Sequence, residues 1–215
     1  MVLFPLLMAN NLIQTSSKKG PETVLILDFG SQYAQLIARR VREAGAFSLL
    51  MAPDTPIEKL AEHNIAGIIL SGGPCSVSEE GSPRCDERLF DLGVPVLGIC
   101  YGMQLGCHML GGKIEGAHAR EYGRATLHLK DSAGLLHGLP EDTAVWMSHG
   151  DQVDAIGEEF RILASTATCL MAAVAHTSVQ FYGVQFHPEV THRADGVDLL
   201  RIFLYEICGI NGSWR

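Results

Sequence analysis

The chain has 215 residues, 47% hydrophobic and 19% charged, which is enough material to enclose a substantial core. Its formal net charge is −8 and it has no long basic run, so no nucleic-acid-binding surface is expected. No stretch reaches the ~20 apolar residues that a bilayer-spanning helix requires, so no membrane partner is expected either.

In chain order, residues 1–21 begin with a short apolar run (MVLFPLLMA) broken by Pro5. Lys18 and Lys19 follow that run instead of preceding it, the reverse of a secretory signal. We expect residues 1–21 to be a mobile tail and residues 22–215 to form one domain. Residues 24–29 read as a first strand, and Ser31 can cap a helix in which Leu36, Ile37, Val41 and Ala44 recur at helical spacing until Gly45. A second strand (46–52), a short helix opened by Thr55-Pro56, a third strand (65–70), a helix near 86–92 and a fourth strand (94–97) follow. This alternation is that of an α/β, doubly wound, mostly parallel sheet. Later segments (125–129, 144–147, 160–164 and 170–175) look like strands joined by turns. They predict antiparallel additions that extend the sheet or cover an edge. A last strand (179–186) and a closing helix (197–208) complete the reading.

Gly98-Ile99-Cys100-Tyr101-Gly102 lies between the fourth strand and a helix predicted over 103–110. A G-x-nucleophile-x-G sequence between strand and helix is a nucleophile elbow, a turn so tight that flanking side chains must vanish. The elbow predicts a strained backbone at Cys100, with helix-terminal amides nearby that favour a thiolate. A cysteine at a strand end is otherwise a small buried hydrophobe. The last strand ends in His187-Pro188-Glu189. There an imidazole can take the thiol proton, and a carboxylate two residues on can fix its tautomer, as a Cys/His/acid triad demands. The competing reading is a proline-terminated strand with His and Glu solvated at its edge.

Ser71-Gly72-Gly73-Pro74 follows the third strand and is either a plain turn or a site for developing negative charge. The expected oxyanion donors are the amides of Gly73 and Tyr101. Six cysteines (75, 85, 100, 107, 169 and 208) show neither C-x-x-C pairing nor metal-ligand spacing, so no metal is expected. Free thiols and a reducing, cytoplasmic setting are expected instead.

The segments ILDFGSQY (26–33), RRVRE (39–43), IILSGGPCSV (68–77), PVLGICYGMQ (95–104), REYG (120–123), WMSHGD (146–151) and YGVQFHPEVTH (182–192) together resemble the class I, or triad, glutamine amidotransferases. Within these, the DFGSQY, SHGD and HPEVTH segments resemble the amidotransferase domains of GMP synthases. The resemblance covers about residues 23–214 and implies a flavodoxin-like fold. It also implies hydrolysis of L-glutamine to glutamate and ammonia, with Cys100 as nucleophile, His187 as base, Glu189 as its orienter, and Gly73 and Tyr101 as the oxyanion hole. Gln104 matches a glutamine contact on the elbow helix. Ser148, Gly150 and Asp151 match a loop that grips the substrate's amino-acid end. This half needs no cofactor; ATP and Mg are implied only for an ATP-pyrophosphatase (synthetase) domain or subunit that converts XMP to GMP. The SGGVDS-type loop of that part does not occur here. An excised domain and a stand-alone subunit both fit, excision modestly better. A cysteine hydrolase of γ-glutamyl amides, an amidotransferase serving another synthetase and a non-enzymatic regulatory domain are the alternatives. The helix with Arg39 and Arg40 and the loop with Arg120 and Glu121 are candidate partner contacts.

Overall fold

The structure, a computed structural model, describes residues 20–190 and 199–214, and only the backbone of 116–120. The expected tail therefore lies almost wholly outside the described residues, as do Thr191 and His192 of the HPEVTH segment.

A nine-stranded sheet runs in the order β2-β1-β3-β4-β9-β8-β7-β5-β6. Its parallel half comprises β1 (Thr23–Leu27), β2 (Phe47–Met51), β3 (Ile65–Leu70), β4 (Val96–Ile99) and β9 (Phe181–Val184). The antiparallel half comprises β5 (Lys113–Leu129), β6 (Asp142–Ala155), β7 (Phe160–Ser165) and β8 (Ala173–His176), and it joins the parallel half where β8 pairs with β9. The α/β class and the parallel-then-antiparallel division match the expectation, and the later strands extend the sheet instead of covering it.

β3 and β4 are unbroken apolar runs, as expected of parallel strands covered on both faces. Along β1, Val24 and Ile26 pack with α1 (Ala34–Glu43) and the closing helix, through Ile37, Val41, Phe203 and Leu204. Leu25 and Leu27 pack the other way, with Leu60 of α2 (Ile57–Ala61) and Leu105 of α3 (Tyr101–Met109). Each such buried side chain contributes about 1.5–3 kcal/mol.

Several boundaries differ from expectation. The first helix starts beyond Ser31, whose Oγ instead accepts the Tyr33 amide at 3.0 Å. The element near 86–92 is a 3₁₀ helix, Glu87–Leu92, with Asp86 accepting from Arg88 N at 3.0 Å and Gly93 at φ 69° closing it. The closing helix, over residues 199–207 among those described, finishes in a π-helical turn, Ile202–Ile207. The largest difference lies in β5 and β6, which form one long ribbon where only short central pieces were expected. No helix among the described residues is long and apolar enough to cross a membrane.

Candidate active site

The elbow is built from backbone at the end of β4. Cys100, at φ 52° and ψ −109°, is the one non-glycine residue with positive φ among those described. Its amide donates to Val184 O of β9 at 2.8 Å, and Gln104 N returns to Cys100 O at 3.1 Å. The neighbouring glycines are required by space. A Cβ at Gly98 would lie 2.6 Å from Gly102 O, and one at Gly102 would land on the carbonyl of Leu70 at the end of β3.

β9 brings the base. His187 follows it by three residues and is buried, with its amide donating to Trp146 O of β6 at 2.9 Å. Its Nδ1 donates to Glu189 Oε1 at 2.8 Å, and the Cys100 side chain lies beside the same ring, close enough to act on its charge. Glu189 is buried behind the ring, and its other oxygen has no hydrogen-bond partner among the described residues. Burial works against a charge on His187, but contacts with Cys100 and Glu189 outweigh it and push its pKa up to about 10. Tyr33 holds the ring from another side in an edge contact, centroids 5.3 Å apart.

Cys100 and His187 face a cleft of about 630 Å³. Gly73, Tyr101, Gln104, Ser148, Gly150 and Asp151 line it too, so Glu189 alone of the predicted site residues lies outside the lining. The cleft sits at the carboxyl ends of the parallel strands, where open α/β sheets place ligands. Tyr101 opens α3, so its amide has no intrahelical acceptor.

Two expectations are corrected. Ser148, Gly150 and Asp151 are not in a loop; they lie within β6. The β5–β6 register breaks between Gly116 and Glu121, and that irregularity lets a continuous strand form the cleft wall without a turn. Ser148 O approaches Cys100 Sγ at 3.6 Å. Glu121, expected as a surface contact, is a strand residue turned inward. Its carboxylate accepts from Thr166 Oγ1 at 3.3 Å and lies 3.4 Å from His149 Nε2.

Gln104 is buried, and its Nε2 donates to Asp151 O at 2.8 Å and Gln185 Oε1 at 3.2 Å. It therefore ties α3 to β6 while lining the cleft. His149 Nδ1 donates to the same Asp151 oxygen at 3.0 Å. Burial keeps His149 below its usual pKa, with Asp151 and Glu121 pulling the other way. His149, Tyr33, Gln185 and Ser71 escaped the sequence reading, although each lies inside a motif it had singled out. Burial pushes Cys169 up to about 11 and Cys85 and Cys208 to about 12, and it raises Cys107 further. All six cysteines are free.

A family model described as glutamine amidotransferase class-I matches residues 25–207. The chain therefore belongs to the class I glutamine amidotransferases. Among its relatives, it is 52% identical over 193 residues to a glutamine-hydrolysing GMP synthase from Syntrophomonas wolfei and 53% identical over 193 residues to one from Bacillus pumilus. Each alignment takes in 90% of this chain but only 38% of the relative, so the chain spans well under half of their length. A Thermoplasma acidophilum protein described as a GMP synthase subunit superposes with a TM-score of 0.79 at 30% identity, over 88% of this chain and 95% of that one. A Thermotoga maritima glutamine amidotransferase shares the fold, with a TM-score of 0.71 at 18% identity over 89% of this chain and 100% of that one.

Proposed function

We propose that this chain is the glutaminase part of a GMP synthase, releasing ammonia from L-glutamine for an ATP-pyrophosphatase part that converts XMP to GMP. The observation that carries the reading is the strained Cys100 lining one cleft with His187, itself held by Glu189 at 2.8 Å. In this reading His187 takes the Cys100 thiol proton, and the resulting thiolate attacks the side-chain amide carbon of glutamine. The Gly73 and Tyr101 amides receive the charge that develops on the amide oxygen, where losing one such donor typically costs roughly 10²–10³ in rate. His187 then gives that proton to the departing ammonia. Water, deprotonated by the same ring, then cleaves the thioester to release glutamate. Ser148, Gly150, Asp151 and Gln104 hold the amino-acid end.

The amidotransferase domain takes in residues 22–215 on this reading, with 1–21 a tail outside it. The chemistry needs no cofactor on this chain; ATP and Mg belong to the synthetase part, whether that part is a separate subunit or another segment of the same polypeptide. Six free cysteines suit a reducing compartment such as the cytoplasm.

Cys100→Ala is the test. It abolishes ammonia release from glutamine, a loss on the order of 10⁴-fold or more, while GMP formation from added ammonia persists when the synthetase part, ATP, Mg and XMP are supplied. Turnover confined to γ-glutamyl peptides in the parent chain would instead identify a different hydrolase.

A further inference from the structure

We propose that Ser71 is a positioning residue for the oxyanion site, its hydroxyl setting the direction in which the Gly73 N–H points. The inference rests on the reading of the Gly73 amide as an oxyanion donor.

Ser71 lies just beyond β3 and is fully buried. Phe29 N donates to its Oγ at 3.0 Å, and its Oγ lies 2.8 Å from Gly72 O. An amide N–H can only donate and a carbonyl oxygen can only accept. The hydroxyl proton therefore has one place to go, and it is committed to Gly72 O. The peptide unit joining Gly72 to Gly73 is planar and trans, so its C=O and N–H point to opposite sides. Pinning the Gly72 oxygen inward leaves the Gly73 N–H aimed away from Ser71, and Gly73 lines the cleft beside Cys100 and Tyr101.

The loop needs such a pin because of what it is made of. A Cβ at Gly73 would sit 2.7 Å from Phe29 O, and one at Gly72 would sit 3.0 Å from His187 Cε1. Space therefore forces glycine at 73 and crowds any side chain at 72, and a Gly-Gly peptide rotates at little steric cost. Flipped, it would turn a carbonyl oxygen toward developing negative charge, reversing the contribution of that donor. The Ser71 carbonyl acts separately, accepting Gly102 N at 3.0 Å and so bracing the elbow. Replacing the side chain leaves that brace in place, which makes the two roles separable.

The experiment compares glutamine turnover with alkylation of Cys100 by iodoacetamide, a displacement that develops no oxyanion. Ser71→Ala lowers kcat by roughly tenfold to a hundredfold, approaching the loss of a whole donor, while KM and the alkylation rate each change by less than about threefold because ground-state binding and the thiol are untouched. Should Ser71→Ala fail to fold, Ser71→Cys, similar in size with a poor donor, reads the same split, and Ser71→Thr, which keeps the hydroxyl, regains turnover. An unchanged kcat overturns the inference. So does a parallel fall in turnover and alkylation, which would make Ser71 a brace of the elbow and nothing more. A glutamine-derived aldehyde, captured by Cys100 in a crystal of the parent chain, tells the two failures apart. An adduct oxygen away from the Gly73 N–H sinks the oxyanion reading itself, whereas an adduct oxygen on that amide with an unaffected Ser71→Ala sinks only the role of Ser71.

Discussion

In the parallel half, β1 and β4 are buried along their whole length and the candidate chemistry begins where β4 ends, at Cys100. In the antiparallel half, β6 alternates between buried and partly exposed positions and lends Ser148, Gly150 and Asp151 to the cleft from mid-strand. A reacting atom must be held to a few tenths of an ångström, and the parallel half achieves this with strained backbone locked between close-packed neighbours. A wall that shapes a cleft needs only a surface of the right contour, which a ribbon with two register breaks supplies. Rigidity and shape thus come from different parts of one sheet.

The sharpest way to break that contrast is to crowd the rigid half. Gly102→Ala drives a methyl group into Leu70 of the adjacent strand and should cost about 3 kcal/mol or more, at the upper end of overpacking, read as a lowered urea midpoint or as insoluble protein. A midpoint within experimental scatter of the parent would show that the elbow has slack. Next in size is Gln104→Ala, which strips Gln185 Oε1 of a donor and leaves the Asp151 carbonyl with His149 alone. We expect a loss of about 1–3 kcal/mol together with a raised KM for glutamine, because this side chain ties α3 to β6 while lining the cleft. If stability fell and KM stayed put, the tie would be structural only.

The smallest effect concerns His187. Its pKa is raised from 6.5 to about 10, so the stability drawn from its charged form is complete below about pH 6.5 and is lost as pH rises through about 10. Cys100 is the first of the contacts that raise it. In Cys100→Ala the ring should therefore titrate closer to 6.5, followed by NMR of its C–H protons. A parent midpoint already near 6.5 would refute the contact.

Much of this was legible in the residues. Runs such as TVLIL and IAGIIL read as strands buried on two faces, and the glycine spacing around Cys100 between strand and helix matches a tight elbow. The ribbon was harder to read. The flanks of β5 and β6 carry glycines and charges (REYG, SHGD) that look like turns in isolation, and only the cross-strand partner, Glu121 opposite His149, makes them strand. Likewise the inward-facing roles of Ser71 and Gln185 depend on which neighbour lies across a strand boundary, and single-chain periodicity is silent on that. The 3₁₀ rather than α form of Glu87–Leu92 has the same origin: the residues set a cap and a stop, but the tightness of the turns between them is settled by packing.

β4 and β9 are direct neighbours, hydrogen-bonded from Val96–Phe181 through Ile99–Val184 and on to the Cys100 amide. The separation of nucleophile and base is therefore inherited from the lateral spacing of a sheet, not from a hinge or a docking event. A protein bound to this one could not switch it off by prising those two groups apart without tearing the centre of the molecule. Any control from outside has to work through the loops around the cleft mouth, by admitting glutamine or by turning a peptide.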